Sequence, residues 1–257
     1  FDLNVYSRNN KSYKNLEFKK PHTFKFNNIH EESIVVSVSP IWLFAEFLKY
    51  FLEHDFESLK NIKSFIVVSS SSLITKRFSS DKYDLELVSK LKNAENIIKS
   101  ICRKLNISFY ILRPTLIYGK SGDFEDKNLS FFKNLLNIIP ILILPKRTGL
   151  RQPIHCKQLS KLIIKIILNQ QLNKQTVFKY QEFNVGGDDE LSYLEMIMRY
   201  NSRSTTAQKE KIIFLISIPN RIFFFLLSPL MILRPRLFYQ FLRISTNLSG
   251  FTKVSRL

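Results

Sequence analysis

The hydrophobic pattern of this 257-residue chain changes period twice across its middle. Residues 65–72 read FIVVSSSS, an unbroken apolar run closed by four serines. Such a run suits a strand covered on both faces, as in a parallel sheet. Leu87, Leu91, Ala94, Ile98, Ile101 and Leu105 then recur at spacings of four and three, one face of an amphipathic helix. Glu95 and Lys99 form an i,i+4 pair on what reads as its wetter side. A second apolar run, from Phe109 to Leu112, stops at Arg113-Pro114, because proline has no N–H for a sheet ladder. Strand, helix and strand predict a βαβ unit, with the polar residues after each strand marking its ligand edge.

The same reading extends outward. Residues 1–6 (FDLNVY) alternate and predict a short strand before the polar turn Ser7-Arg8-Asn9-Asn10. Lysine-rich residues 9–30 predict a loop with a short strand near 23–27. Residues 33–38 (SIVVSV) predict a strand ending at Ser39-Pro40, and residues 41–56 a helix with Trp42, Phe44, Ala45 and Leu48 inward. Beyond Gly119 the pattern predicts a loop over 120–128, helices over 129–139 and 159–168, and a strand over 183–185 ending at Gly186-Gly187. Pro140 and Pro145 bracket an apolar ILIL, and residues 146–155 read as a turn into a short strand. Ser192, with Glu195 three residues on, predicts a capping box for a helix through Tyr200. Residues 212–233 are apolar for about the length of a membrane span, but Pro219, Arg221 and Pro229 interrupt them. They predict helices packed on a lobe or a partner, with a membrane-surface element, kept open by Arg234 and Arg236, as the alternative.

Composition refines this picture only in places. A 45% hydrophobic content supports a sizeable core. The net charge of +18 comes from lysines spread along the whole chain, with no zinc-finger or RNA-binding signature. That is a composition bias, or a fit to an acidic or phosphorylated small ligand; a nucleic-acid partner is not expected. Cys102 and Cys156 form no CxxC, and His22, His30, His54 and His155 lack ligand spacing, so a reducing cytoplasm and no metal site are expected. The chain starts at Phe1, has its first methionine at Met196 and no glycine before Gly119, and so reads as a piece beginning after the start of its gene product.

The serine strand, the helix with Ala94-Glu95, ILRPTLIYG (111–119), LRQPIH (150–155) and FNVGGDDELSYLEMI (183–197) occur in one order. Together they resemble the extended short-chain dehydrogenases, the NAD-dependent epimerase/dehydratase family acting on nucleotide sugars. Thr75-Lys76 and Ser80-Asp81 resemble its atypical epimerase-like branch, and the likeness spans about residues 1–200. It implies an α/β fold: a Rossmann-like doubly wound parallel sheet lacking its first strand and helix, with a smaller C-terminal substrate lobe. Residues 1–145 would be the partial NAD(P)-binding domain, and 146–257 the substrate lobe and apolar helices, interleaved with it. Ser7 and Arg8 would end the second strand and suit a 2′-phosphate, hence NADP, with NAD the alternative and a solvated turn the bland reading. Ser37, Val38, Ser39 and Pro40, then Ser69 and Ser70, would pass along the cofactor, and Arg113, Pro114, Thr115 and Leu116 would meet its nicotinamide side.

Ser71 matches the hydroxyl residue that bonds the reacting sugar, although a serine run can also satisfy strand-end backbone groups. Asn128, Arg151, Gln152 and His155 fall where the family contacts substrate, a guanidinium suiting the diphosphate; for His155 alone a structural role reads better. Gln158 replaces the family's usual acid.

Two departures bear on chemistry. No glycine-rich phosphate turn is present, which predicts weak or absent cofactor binding. The family's Tyr-x-x-x-Lys base falls on Leu87 and Leu91. A shift of one places Glu86 and Lys90 there, making Lys90 a candidate catalytic or ribose contact, or a lysine snorkelling at the stripe edge. Tyr83 and Lys76 are further stand-ins, and Tyr118 reads as structural. The expectation is an NAD(P)-binding nucleotide-sugar epimerase, dehydratase or reductase-like protein, or else a non-catalytic Rossmann-type binding or assembly module, with a homodimer compatible with either.

Overall fold

The computed structural model describes residues 5–6, 18–19, 33–59, 61–121, 124–125, 141–172, 179–202 and 214–257. The strand expected near 23–27 and the helix over 129–139 lie outside them. In chain order the main elements are β1 (Ser33–Ser37), α1 (Ile41–His54), β2 (Ile62–Val68), α2 (Lys82–Leu105) and β3 (Ser108–Pro114). Then follow β4 (Ile141–Pro145), α3 (Cys156–Leu172), β5 (Tyr180–Gly186) and α4 (Tyr193–Ser202). The chain closes with β6 (Phe214–Ile218), α5 (Asn220–Leu233), α6 (Pro235–Leu242) and β7 (Thr252–Lys253).

Five strands pair in the order β7-β5-β3-β2-β1, every neighbour parallel. Side chains alternate across this sheet. Phe65, Val67, Phe109 and Ile111 join Phe44, Leu48 and Ile98 in one apolar layer under α1 and α2. Ile66, Tyr110, Leu112 and Val185 join Leu159, Leu162 and Ile166 of α3 in the other. Covering both faces of a parallel sheet is why its strands read as continuous apolar runs. The result is a Rossmann-like core with flanking helices, as expected, and a smaller C-terminal lobe built around β4, β6, α4, α5 and α6.

Several boundaries move for local reasons. α2 starts at Lys82, ahead of the leucine stripe, because the Asp81 carboxylate accepts the Tyr83 N–H at 3.2 Å. It ends at Asn106, left-handed at φ 54°. β2 stops at Val68, and Ser72–Thr75 turn into a short helix. β3, by contrast, passes its expected end: Arg113 and Pro114 still pair with Asn184 and Val185 of β5. The missing Pro114 N–H would face β2, which has already ended, and the Pro114 carbonyl accepts the Ser71 N–H at 3.0 Å. The capping box forms as read: the Ser192 N–H reaches Glu195 at 2.7 Å, and the Glu195 N–H reaches the Ser192 hydroxyl at 3.1 Å.

Glu95 corrects the pattern. Rather than facing water with Lys99, it is 2% exposed. It accepts the Ser69 hydroxyl at 2.7 Å and the Arg113 Nε at 2.9 Å, and a second Arg113 nitrogen reaches both Glu95 and Glu182. Lys99 completes the group, 2.5 Å from Glu182 and 3.7 Å from Glu95. This ionic group locks α2, β3 and β5 together at the carboxyl edge. Burial alone would raise the Glu182 carboxyl pKa, but the hydrogen bonds from Lys99 and Arg113 outweigh it and hold the pKa below its usual 4.5. A depressed folded-state pKa contributes stability that is present above 4.5 and lost as pH falls through the lower value. Thermal midpoints followed against pH should therefore fall on acidification below about 4.5, and the Glu182→Gln variant should show a shallower fall. An unchanged pH profile in that variant would rule this contribution out.

Candidate functional site

At the carboxyl ends of β2 and β3 lies a cleft of about 940 Å³. One wall is residues 69–72 with Thr75 and Lys76; a second is residues 114–117; Arg151 and Gln152 close it from the short strand Leu150–Arg151 and the turn beyond. The far wall is Tyr193 and Met196 of α4 with Gln240, Arg243, Leu248 and Phe251.

The structure thus brings together Ser69, Ser70, Ser71, Pro114, Thr115, Leu116, Arg151 and Gln152. The serines divide their work. Ser69 bonds Glu95, and the Ser70 hydroxyl accepts the Ser72 N–H at 3.1 Å, so these two do satisfy local groups. The Ser71 hydroxyl has no hydrogen-bond partner among the described residues and lines the cleft. Thr115 donates to the Gln152 carbonyl, tying the second wall to the third.

Arg151 and Gln152 are committed largely to architecture. The Arg151 guanidinium donates to the carbonyls of Leu150 (2.9 Å), Thr246 (2.6 Å) and Arg243, and lies 5.4 Å from the centre of the Tyr193 ring. Burial pushes its pKa down, with Tyr193 opposing. Gln152 donates to the carbonyls of Gly187 (2.9 Å) and Phe251 (3.0 Å) and accepts the Phe251 N–H at 2.9 Å. The two side chains hold residues 243–251 against the sheet edge. Arg113 lends only its strand position, its side chain being bound to Glu95, Glu182 and Asn184.

Lys90 does not join this cleft. Its ammonium sits 4.5 Å from the centre of the Trp42 ring, above α1, on a shallow surface with Glu86 and Ser89. Ser37 ends β1, and Val38, Ser39 and Pro40 follow it on the same sheet edge, all outside the cleft lining, with the Ser37 and Ser39 hydroxyls 2.9 Å apart. His155 also stays outside. Its Nδ1 accepts the Lys157 N–H at 3.1 Å, its ring meets Tyr118 edge-on, and a Cβ on Gly119 would come within 2.4 Å of Nε2. Gln158 supplies the helix-start contact, accepting the His155 N–H at 3.0 Å and donating to Asp188 at 2.8 Å. Ser7, Arg8 and Asn128 lie outside the described residues.

Lys76, named in the sequence only as a stand-in, lines the cleft with Ser71. It lies 2.8 Å from Asp84, a buried carboxylate that also bonds Arg243 and accepts the Ser79 hydroxyl at 2.9 Å. Burial first, then Arg243 and Arg236, push the Lys76 ammonium pKa down against the opposing pull of Asp81. Tyr193 moves the other way: burial raises its phenol to about 12, so near neutral pH it can donate but not act as a phenolate. The part of the far wall from residues 240–251 was not visible in the sequence, because no motif runs through them.

No family model and no curated protein matches this sequence. Solved structures do match its fold. UDP-N-acetylglucosamine 4-epimerase from Bacillus cereus aligns with a TM-score of 0.54 at 16% identity, over 84% of this chain and 75% of its own. UDP-glucuronic acid 4-epimerase from Bacillus cereus, in complex with NAD, aligns at 0.51 and 14% identity, over 80% of this chain and 72% of its own. At such identities the likeness is one of fold: a Rossmann-like parallel sheet with a smaller C-terminal lobe.

Proposed function

We propose that this chain is a member of the NAD-dependent epimerase/dehydratase family that binds a nicotinamide dinucleotide and a nucleotide-sugar-like molecule along the carboxyl edge of its sheet. The carrying observation is the cleft itself, at the carboxyl ends of adjacent parallel strands, where folds of this class place their ligands. Its volume of about 940 Å³ is in the range of small-molecule sites. Two of the solved structures that share the fold are nucleotide-sugar epimerases, one carrying NAD, and this supports the reading.

Residues 69–72 and 114–117 would hold the nicotinamide end between their strand-end backbones. A nicotinamide bound there supplies reversible hydride transfer. Ser71 orients a substrate hydroxyl by a hydrogen bond, and Lys76 Nζ, on the same wall of the cleft, is the group that exchanges its proton. The positive side chains of Lys76 and Arg243 suit a phosphorylated substrate. Ser7-Arg8 favours NADP over NAD.

A second reading, a binding module without turnover, rests on one observation: Leu91 is buried and Leu87 packs against the core where the family places its base pair. Calorimetric titration with NADP and NAD, then turnover assays on UDP-sugars, separates the two. Under the first reading Ser71→Ala and Lys76→Met should each lower turnover by about 10²–10⁴-fold while cofactor affinity holds. Dinucleotide binding without turnover would favour a binding module, and failure to bind either dinucleotide would sink the enzyme reading and leave an assembly module. Arg8→Asp should shift preference toward NAD; an unchanged preference rejects the 2′-phosphate assignment.

A further inference from the structure

Helix α5 is apolar on two opposite sides. Its inner side seats Phe223, 5% exposed, which meets Phe241 of α6 edge-on at 6.4 Å. Asn220 pins the start of the helix by accepting the Arg147 N–H and donating to the Arg147 carbonyl, both at 2.9 Å. These contacts fix which side faces out. On that outer side Ile222, Phe225, Leu226, Pro229, Ile232 and Leu233 follow helical spacing along one stripe, and Ile232 is 86% exposed. Single exposed apolar residues are ordinary, but a whole stripe marks an interaction surface.

The backbone is adapted to an apolar setting. Pro229 removes the N–H that would bond the Phe225 carbonyl, and the Ser228 hydroxyl donates to that carbonyl at 2.7 Å instead. No carbonyl is thereby left bare at the break, a condition that matters most where water is excluded. Arg221 at one end of the stripe and Arg234 and Arg236 at the other are exposed cations. With 14 residues the helix is about 21 Å long, too short for a hydrocarbon core of about 30 Å. Among the described residues, no helix is long and apolar enough to cross a membrane.

We infer that α5 docks this protein onto an anionic lipid surface, lying in the headgroup plane with its outer stripe inserted and its terminal arginines on acidic headgroups. A second copy of the chain is the poorer occupant. Two-fold apposition of this face would bring like arginine-bearing ends and two chains of net charge +18 together. A bilayer carrying acidic headgroups meets both the stripe and the charge. This inference does not depend on the nucleotide reading.

The test is flotation of the full chain with phosphatidylcholine vesicles, with and without phosphatidylserine. The protein should float with the acidic vesicles and not with the neutral ones. Phe225→Glu combined with Ile232→Glu should abolish flotation without moving the thermal midpoint, since both side chains are exposed. Arg221→Gln and Arg234→Gln should each weaken binding about fivefold. Absence of flotation, equal flotation with neutral vesicles, or flotation that survives the double glutamate variant would overturn the inference. So would a dimer in light scattering that the double variant dissociates while vesicles bind nothing.

Discussion

Replacing Arg113 with methionine should destabilise this protein by about 3–5 kcal/mol. For a domain of this size that corresponds to a fall of roughly 6–20 °C in the thermal midpoint. The cost comes from what stays behind. Glu95 is 2% exposed, and without the guanidinium it keeps only Ser69 and a more distant Lys99. A buried carboxylate stripped of its main partner must either remain charged in a poor solvent or take up a proton. Glu182, at the sheet edge, loses a partner in the same step but can turn to Lys99 and water. The double variant Arg113→Met/Glu95→Leu should recover most of the loss, because removing both buried charges is far cheaper than orphaning one. Calorimetric or circular-dichroism melting of the single and double variants decides the matter. If the single variant loses less than about 1 kcal/mol, the group is no more than a surface pair.

Gly149→Ala should have the second-largest effect, through contact rather than charge. A Cβ at this position would sit 2.0 Å from the Thr246 carbonyl oxygen and 2.9 Å from the Asn247 nitrogen, all backbone with no side chain to swing away. The Gly149 N–H also bonds the Ile244 carbonyl at 2.8 Å, and its carbonyl accepts the Tyr193 N–H at 3.2 Å. Either the strand Leu150–Arg151 or the segment around residue 246 must give way, costing about 2–3 kcal/mol. Displacing that segment also takes the Arg243 and Thr246 carbonyls from Arg151 and moves the far wall of the cleft. Limited trypsin digestion should cut the variant early at Arg243, and ligand affinity should fall with it. Wild-type resistance to trypsin would show that the segment absorbs the methyl group.

The core was legible in the sequence because its two periods contrast so sharply. Four-residue apolar runs either side of a helix with a clean leucine and isoleucine stripe leave little choice but a parallel sheet. The serine end of β2 likewise announced the edge that carries the cleft. What stayed hidden depended on partners far along the chain. Glu95 looks like half of a surface pair with Lys99 until β3 and β5 bring Arg113 and Glu182 beside it. Spacing on one helix singles out Lys90, yet that lysine rests on Trp42, while the short helical turn after Ser71 carries Lys76 into the cleft. Tail residues Gln240, Arg243, Leu248 and Phe251 show no periodicity that assigns them to a site; Arg243 and Phe251 take their places from hydrogen bonds to Arg151 and Gln152, and Leu248 from one to the Leu150 carbonyl.

Those last contacts bear on how the protein matures during synthesis. Strands β1, β2 and β3 are close in sequence and can pair early, but β5 must wait for residue 186 and β7 for residue 253. Phe251, whose backbone is held by Gln152 on both its N–H and its carbonyl, is synthesised 99 residues after that partner. The nascent chain therefore carries an open edge at β3 until β5 has been made, and an unfinished cleft until Phe251 has. Chaperones that shield exposed strand edges have their longest opportunity on this chain between the synthesis of β3 and that of β5.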